Sequence, residues 1–148
     1  QLVKNVYLNK HKTLARKFEE MIIVWLIENN RLVSKERMFE VYLNIIEWGP
    51  GIYGITEASR FWFSKEPWQL SINESIFLAS IIPAPKRALR NFNPDYSLKA
   101  EMNPYFKLLA ERLRVKGIIG EDQESRISAD INVSESVKKM LDLVNKPD

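Results

Sequence analysis

Apolar residues recur at helical intervals along most of this chain. Leu14, Phe18, Met21, Ile22, Trp25 and Leu26 are spaced three and four apart, which predicts a helix with one buried stripe. Ser34 stands where a hydroxyl caps a second helix, running to about Asn44 with Met38, Val41 and Tyr42 turned inward. Gly49-Pro50-Gly51-Ile52-Tyr53-Gly54 breaks either period and predicts a loop. A short aromatic helix is expected over residues 56–63. Ser71 and Glu74 have capping-box spacing and open a helix that ends at Ile82, before Pro83.

Residues 83–95 hold three prolines and predict an ordered surface loop. Asn103-Pro104 supplies a cap and a proline at the first helical position, and Gly117 follows that helix. A last amphipathic helix sets Val137, Met140, Leu141 and Val144 on one face. No repeat, low-complexity tract or convincing strand is visible. The fold class expected is all-α or mostly α.

The chain has 148 residues, enough for one domain or a large part of one. Its net charge of +3 is unevenly spread. Lys4, Lys10, Lys12, Arg16 and Lys17 occur in the first seventeen residues with no acid among them, whereas residues 121–148 carry seven acids and four bases. Anionic partners therefore belong to the N-terminal part. There is no cysteine, so thiolate and disulfide chemistry are excluded, and the single histidine, His11, rules out a multi-histidine metal site. The longest apolar run, Met21–Ile27, falls far short of the roughly 20 residues that span a bilayer. The chain opens on Gln1 inside an apparent element, so it reads as a fragment or a trimmed piece of a longer protein, with room for an anchor upstream.

The candidate chemistry is concentrated where charge meets that apolar run. Arg16 and Glu20 are four apart and share a helix face, with Lys17 and Glu19 beside them. An exposed ion pair is the plain structural reading, worth about 0.3–0.5 kcal/mol. The uncompensated bases favour a second reading, an anionic lipid surface or a phosphate gripped by the arginine fork. Nucleic acid is disfavoured, because the aromatics lie on core stripes rather than between the bases. Ser71 and Glu74 read as a cap and not as a nucleophile with its acid. Trp48 and Tyr53, beside the glycine loop, are the better candidates for stacking on a sugar, while Trp25 reads as core.

Several ordered segments resemble one family. Gln1-Leu2-Val3-Lys4-Asn5, Arg16-Lys17-Phe18-Glu19-Glu20 and Glu40-Val41-Tyr42-Leu43-Asn44 are similar to QQLxKN, RKxxE and E-x-YLN of the family 51 glycosyltransferases. These are peptidoglycan transglycosylases, occurring alone and as a domain of class A penicillin-binding proteins. Glu47–Gly54 resembles the monofunctional branch. Ala58–Lys65 resembles A-x-x-Y-F-x-K, and Glu74–Ser80 with Pro83 and Asn93-Pro94 resembles E-A-A-x-L-A-G…P…NP.

The resemblance implies a lysozyme-like, mostly helical domain that polymerises lipid II into glycan strands and releases undecaprenyl pyrophosphate at the extracytoplasmic face of the cell membrane. It covers residues 1–127 as a partial domain and leaves 128–148 as a helical extension. By motif, Glu20 is the catalytic acid that supports the leaving group, and Lys4, Arg16 and Lys17 bind phosphate. Gln1 and Asn5 shape the donor pocket. Lys86, Arg87 or Arg90 would take the place of a family lysine that aligns with Pro83. No cofactor is required by the motifs, and a divalent metal, Mg or Mn, is the open option. Partners implied are lipid II, the nascent strand, the anionic membrane surface and other cell-wall synthesis proteins. The family's general-base motif precedes QQLxKN, so the chain alone is expected to be inactive. A non-catalytic relative that binds glycan or lipid-linked saccharide is the alternative.

Overall fold

The computed structural model describes residues 34–144. The chain divides into two compact units, one ending at Ile46 and one beginning at Glu47. In the first, helix α1 spans Lys35–Ile45. Ser34 adopts an extended backbone and its hydroxyl accepts from the Arg37 amide at 3.2 Å, satisfying one of the free donors of the first turn. Glu36 in that turn keeps its carboxyl below the usual range, chiefly through a backbone N–H and then through the Ser34 hydroxyl. Met38, Val41 and Tyr42 are half-buried, on the side expected.

The second unit opens with a departure from the expected loop. β1 (Glu47–Gly49) and β2 (Ile52–Tyr53) pair antiparallel, with Glu47 opposite Tyr53 and Gly49 opposite Ile52. Gly51 makes the reversal at φ +76°, a left-handed conformation that costs an L side chain about 1–2 kcal/mol. Gly49 serves a different need. A Cβ there would lie 3.2 Å from Ile52 Cγ1 and 3.5 Å from the Trp62 ring, so glycine lets the strand approach both. The strands are too short to show alternation, which is why the sequence pattern conceals them.

Helix α2 (Ile55–Phe63) buries Ala58, Ser59, Trp62 and Phe63. It ends at Ser64 in the left-handed conformation, and the amides of Ser64 and Lys65 close the last turn on the Arg60 and Ser59 carbonyls. Helix α3 (Ile72–Ile81) starts in the expected capping box: Ser71 Oγ accepts from the Glu74 amide and Glu74 Oε2 accepts from the Ser71 amide at 2.7 Å. Its apolar residues surround the helix rather than forming a stripe, and it buries Ile76, Phe77, Leu78 and Ile81.

Residues 85–91 form a 3-10 helix packed on β1, not a plain loop, and bury their own Ala88. A 3-10 turn at Ala100–Met102 leads into α4 (Asn103–Val115), so Asn103 is the first helical residue and not the cap. Helix α5 covers Glu121–Arg126, and α6 covers Glu135–Val144. On α6, Val137 and Leu141 are buried as expected, but Val144 is 63% exposed.

The core of this unit is an aromatic cluster. Trp62 meets Phe77 edge-on at 5.1 Å and stacks on Phe92 at 6.1 Å, and Phe77 meets Phe92 at 5.4 Å. Such pairs contribute about 0.5–1.5 kcal/mol each beyond area burial. Helix α6 joins through Ser134, whose amide donates to the Trp62 carbonyl at 2.8 Å and whose hydroxyl donates to the Phe61 carbonyl.

Candidate functional site

Gln1, Lys4, Asn5, Arg16, Lys17 and Glu20, named from the sequence, lie outside the described residues. The E-x-YLN segment lies on α1. There Glu40 accepts from Arg37 Nη1 at 2.7 Å, with both side chains more than half exposed, and the Asn44 side-chain amide donates to the Glu40 carbonyl at 2.8 Å. Both contacts are local to the helix and brace one face of it.

Lys86 and Arg87 are adjacent on the 3-10 helix over β1, and both are exposed. Neither is buried in a preformed phosphate cradle. Lys86 Nζ lies 3.8 Å from Glu47 Oε2. The Glu47 carboxylate is largely covered, and its Oε1 accepts from the Gly51 amide at 3.1 Å. This pairing tethers the basic loop to the hairpin. No local pattern signals the pair, because the two residues are thirty-nine positions apart and the hairpin strands are too short to show alternation.

The two aromatic candidates beside the glycines separate. Trp48 is 2% exposed, and its carbonyl accepts from Trp62 Nε1 at 2.8 Å. It is core, and the expectation that it stacks on a sugar is corrected. Tyr53, in the opposing strand, is 57% exposed and keeps an open ring face. The pleat turns neighbouring positions to opposite sides, which composition could not reveal.

Lys65 and Glu74, each in a segment of the resemblance, meet directly. Lys65 Nζ reaches both Glu74 carboxylate oxygens, at 2.7 and 3.0 Å, while Glu74 is 4% exposed. The acid therefore closes the capping box and an ion pair together, joining the end of α2 to the start of α3. Its oxygens are committed to structure, in keeping with the reading of Ser71 and Glu74 as a cap. No three His, Asp or Glu side chains among the described residues are grouped to hold a metal ion.

A family model described as Transglycosylase matches residues 1–110. The chain belongs to the transglycosylase family. It is 42% identical over 86 residues to the biosynthetic peptidoglycan transglycosylase of Methylobacillus flagellatus, covering 58% of this chain and 37% of that protein. A protein of the same name from Dechloromonas aromatica is 44% identical over 91 residues, covering 62% of this chain and 38% of the relative. Penicillin-binding protein 1A from Haemophilus influenzae shares the fold with a TM-score of 0.53 at 27% identity, over 68% of this chain and 14% of that one. The chain thus spans little more than a third of the length of the curated relatives it matches. The expected fold class, mostly α and lysozyme-like, holds, with the small hairpin as an addition.

Proposed function

We propose that the protein containing this chain is a peptidoglycan glycosyltransferase that extends glycan strands from lipid II at the extracytoplasmic face of the cell membrane. The observation that carries this reading is the family match over residues 1–110, which takes in the ordered segments from Gln1 to Asn93-Pro94. A sugar hydroxyl of the acceptor attacks the anomeric carbon of the donor. The new C–O bond forms as the bond to undecaprenyl pyrophosphate breaks, with inversion, and the hydroxyl proton passes to a general base.

The leaving diphosphate gains a negative charge on its terminal oxygen as the C–O bond breaks, beyond the charge it already carries. Cations placed before bond cleavage lower that barrier most effectively, because they need no reorganisation during the step. Lys4, Arg16 and Lys17 fill this role, arginine through a bidentate fork. Glu20, four residues after Arg16, supports the leaving group and orients the substrate, and Gln1 and Asn5 shape the donor pocket. Lys86, paired with Glu47, and its exposed neighbour Arg87 are a second source of positive charge for the same headgroup. Should a divalent metal, Mg or Mn, take part, Glu20 is the acid that would hold it.

Incubating the purified gene product with lipid II and resolving the products by gel electrophoresis tests the proposal. Strands lengthen with the wild type, and Glu20→Gln slows lengthening by about 100-fold or more. Wild-type rates in Glu20→Gln would remove the acid from the mechanism. Binding of lipid II with no lengthening by the wild type would replace the enzyme with a saccharide-binding relative.

A further inference from the structure

The β1–β2 hairpin carries an aromatic ring that the core does not use. Tyr53 is 57% exposed, and Glu47, its partner across the strands, projects from the same face, because paired positions share a side of the pleat. Trp48, one position on from Glu47, takes the opposite side and is buried. The Glu47 carboxylate is only half committed. Its Oε1 accepts from the Gly51 amide at 3.1 Å. Its Oε2 has Lys86 Nζ at 3.8 Å, beyond hydrogen-bond reach, and accepts no hydrogen bond among the described residues. Lys86 is itself 73% exposed and brings three N–H donors to the same place. An open ring, an acceptor oxygen and a donor ammonium therefore converge on one face of the hairpin.

We propose that this face is a saccharide subsite. Tyr53 stacks under one pyranose ring of the glycan strand, Glu47 Oε2 accepts from a hydroxyl of that ring, and Lys86 Nζ donates to a neighbouring oxygen. A sugar ring has the matching two-sided character: its C–H face is apolar, while its edge carries groups that both donate and accept. Exposed aromatic residues standing singly are ordinary, and Trp68 shows the contrast. It is more exposed still, at 79%, but the polar groups beside it are spent. Glu66 and Gln69 close a capping box, and Arg60 Nε holds Glu66 Oε1 at 2.8 Å. What sets Tyr53 apart is the unfilled acceptor and donor next to its ring. The three donors of Lys86 allow this contact and one to the diphosphate together. The identity of the ligand rests on the glycosyl-transfer reading; the convergence of the three side chains does not.

Saturation-transfer NMR on chitotetraose mixed with the purified gene product tests the subsite, because it reads the contact from the protons of a neutral amino-sugar chain and a titration gives the affinity. The wild type binds. Tyr53→Ala weakens binding about fivefold or more, and Tyr53→Phe, which keeps the ring, stays within about twofold. Lys86→Met weakens it about threefold or more. Trp68→Ala leaves it unchanged, and all four variants keep the wild-type circular dichroism spectrum. Absence of binding by the wild type, or wild-type affinity in Tyr53→Ala, overturns the proposal. So does a loss in Trp68→Ala, which would move the contact to that ring, or an equal loss in Tyr53→Phe and Tyr53→Ala, which would put it on the phenol oxygen. The lengthening assay on the same proteins separates the two readings. Strands lengthened without Tyr53-dependent binding remove the subsite and leave the enzyme, whereas Tyr53-dependent binding without lengthening removes the enzyme and leaves the subsite.

Discussion

Trp62 sits within the aromatic cluster at the core of the second unit. It is fully buried, touches Phe77 and Phe92, and donates its ring N–H to the Trp48 carbonyl. Trp62→Phe keeps an aromatic but removes the donor and part of the volume, and lowers unfolding free energy by about 1–3 kcal/mol in urea titrations. Tyr96 offers a pH-dependent counterpart. Its phenol is raised above the ordinary tyrosine value, chiefly by donating to Asp142 Oδ1 at 2.8 Å. Since the neutral phenol is the favoured form, the contribution of this contact is present below the ordinary tyrosine range and is lost as pH rises through the folded-state value. Asp142→Ala brings the Tyr96 titration back down, which phenolate absorbance reads directly. Individual environments such as these were only partly legible in the sequence. Spacing placed Trp48 and Tyr53 beside the same turn, but only the strand register, with Glu47 opposite Tyr53, puts one indole inside and one phenol outside.

At the scale of elements, legibility followed the strength of local signals. The α3 start was readable because Ser71 and Glu74 satisfy each other's backbone amides within four residues. The hairpin was not, because its strands have three and two residues and the glycines masked any period. Prolines at 83, 85 and 94 concealed the 3-10 helix between them, whose place is fixed by packing on β1 rather than by propensity. Helix α6 was predicted by its stripe, yet what anchors it is the residue before it. Ser134 Oγ accepts from the Val137 amide at 3.3 Å while the same residue bonds to both the Phe61 and Trp62 carbonyls. Ser134→Ala costs about 1–2 kcal/mol of stability. Hydrogen exchange shows the loss as faster exchange along α6 than along α3.

For the whole molecule, the functional reading came from order rather than from any one residue. A single RKxxE could arise on any amphipathic helix, whereas successive segments in family order across 110 residues could not easily do so, and the family match agrees. Charge asymmetry pointed to the basic N-terminal segment as the seat of anion binding, and the site residues named there lie outside the described part of the structure. On α4, Leu108 and Val115 look like core positions in the sequence, but Phe106 and Ala110 take the buried side. The proposed glycosyltransferase requires that sugar transfer to a growing strand expel a lipid diphosphate. Counting undecaprenyl pyrophosphate released against glycosidic bonds formed, with lipid II and the purified gene product, tests it most directly. One diphosphate per new bond is the predicted result, falling together in Glu20→Gln. Strands that shorten, or that lengthen without diphosphate release, would contradict it.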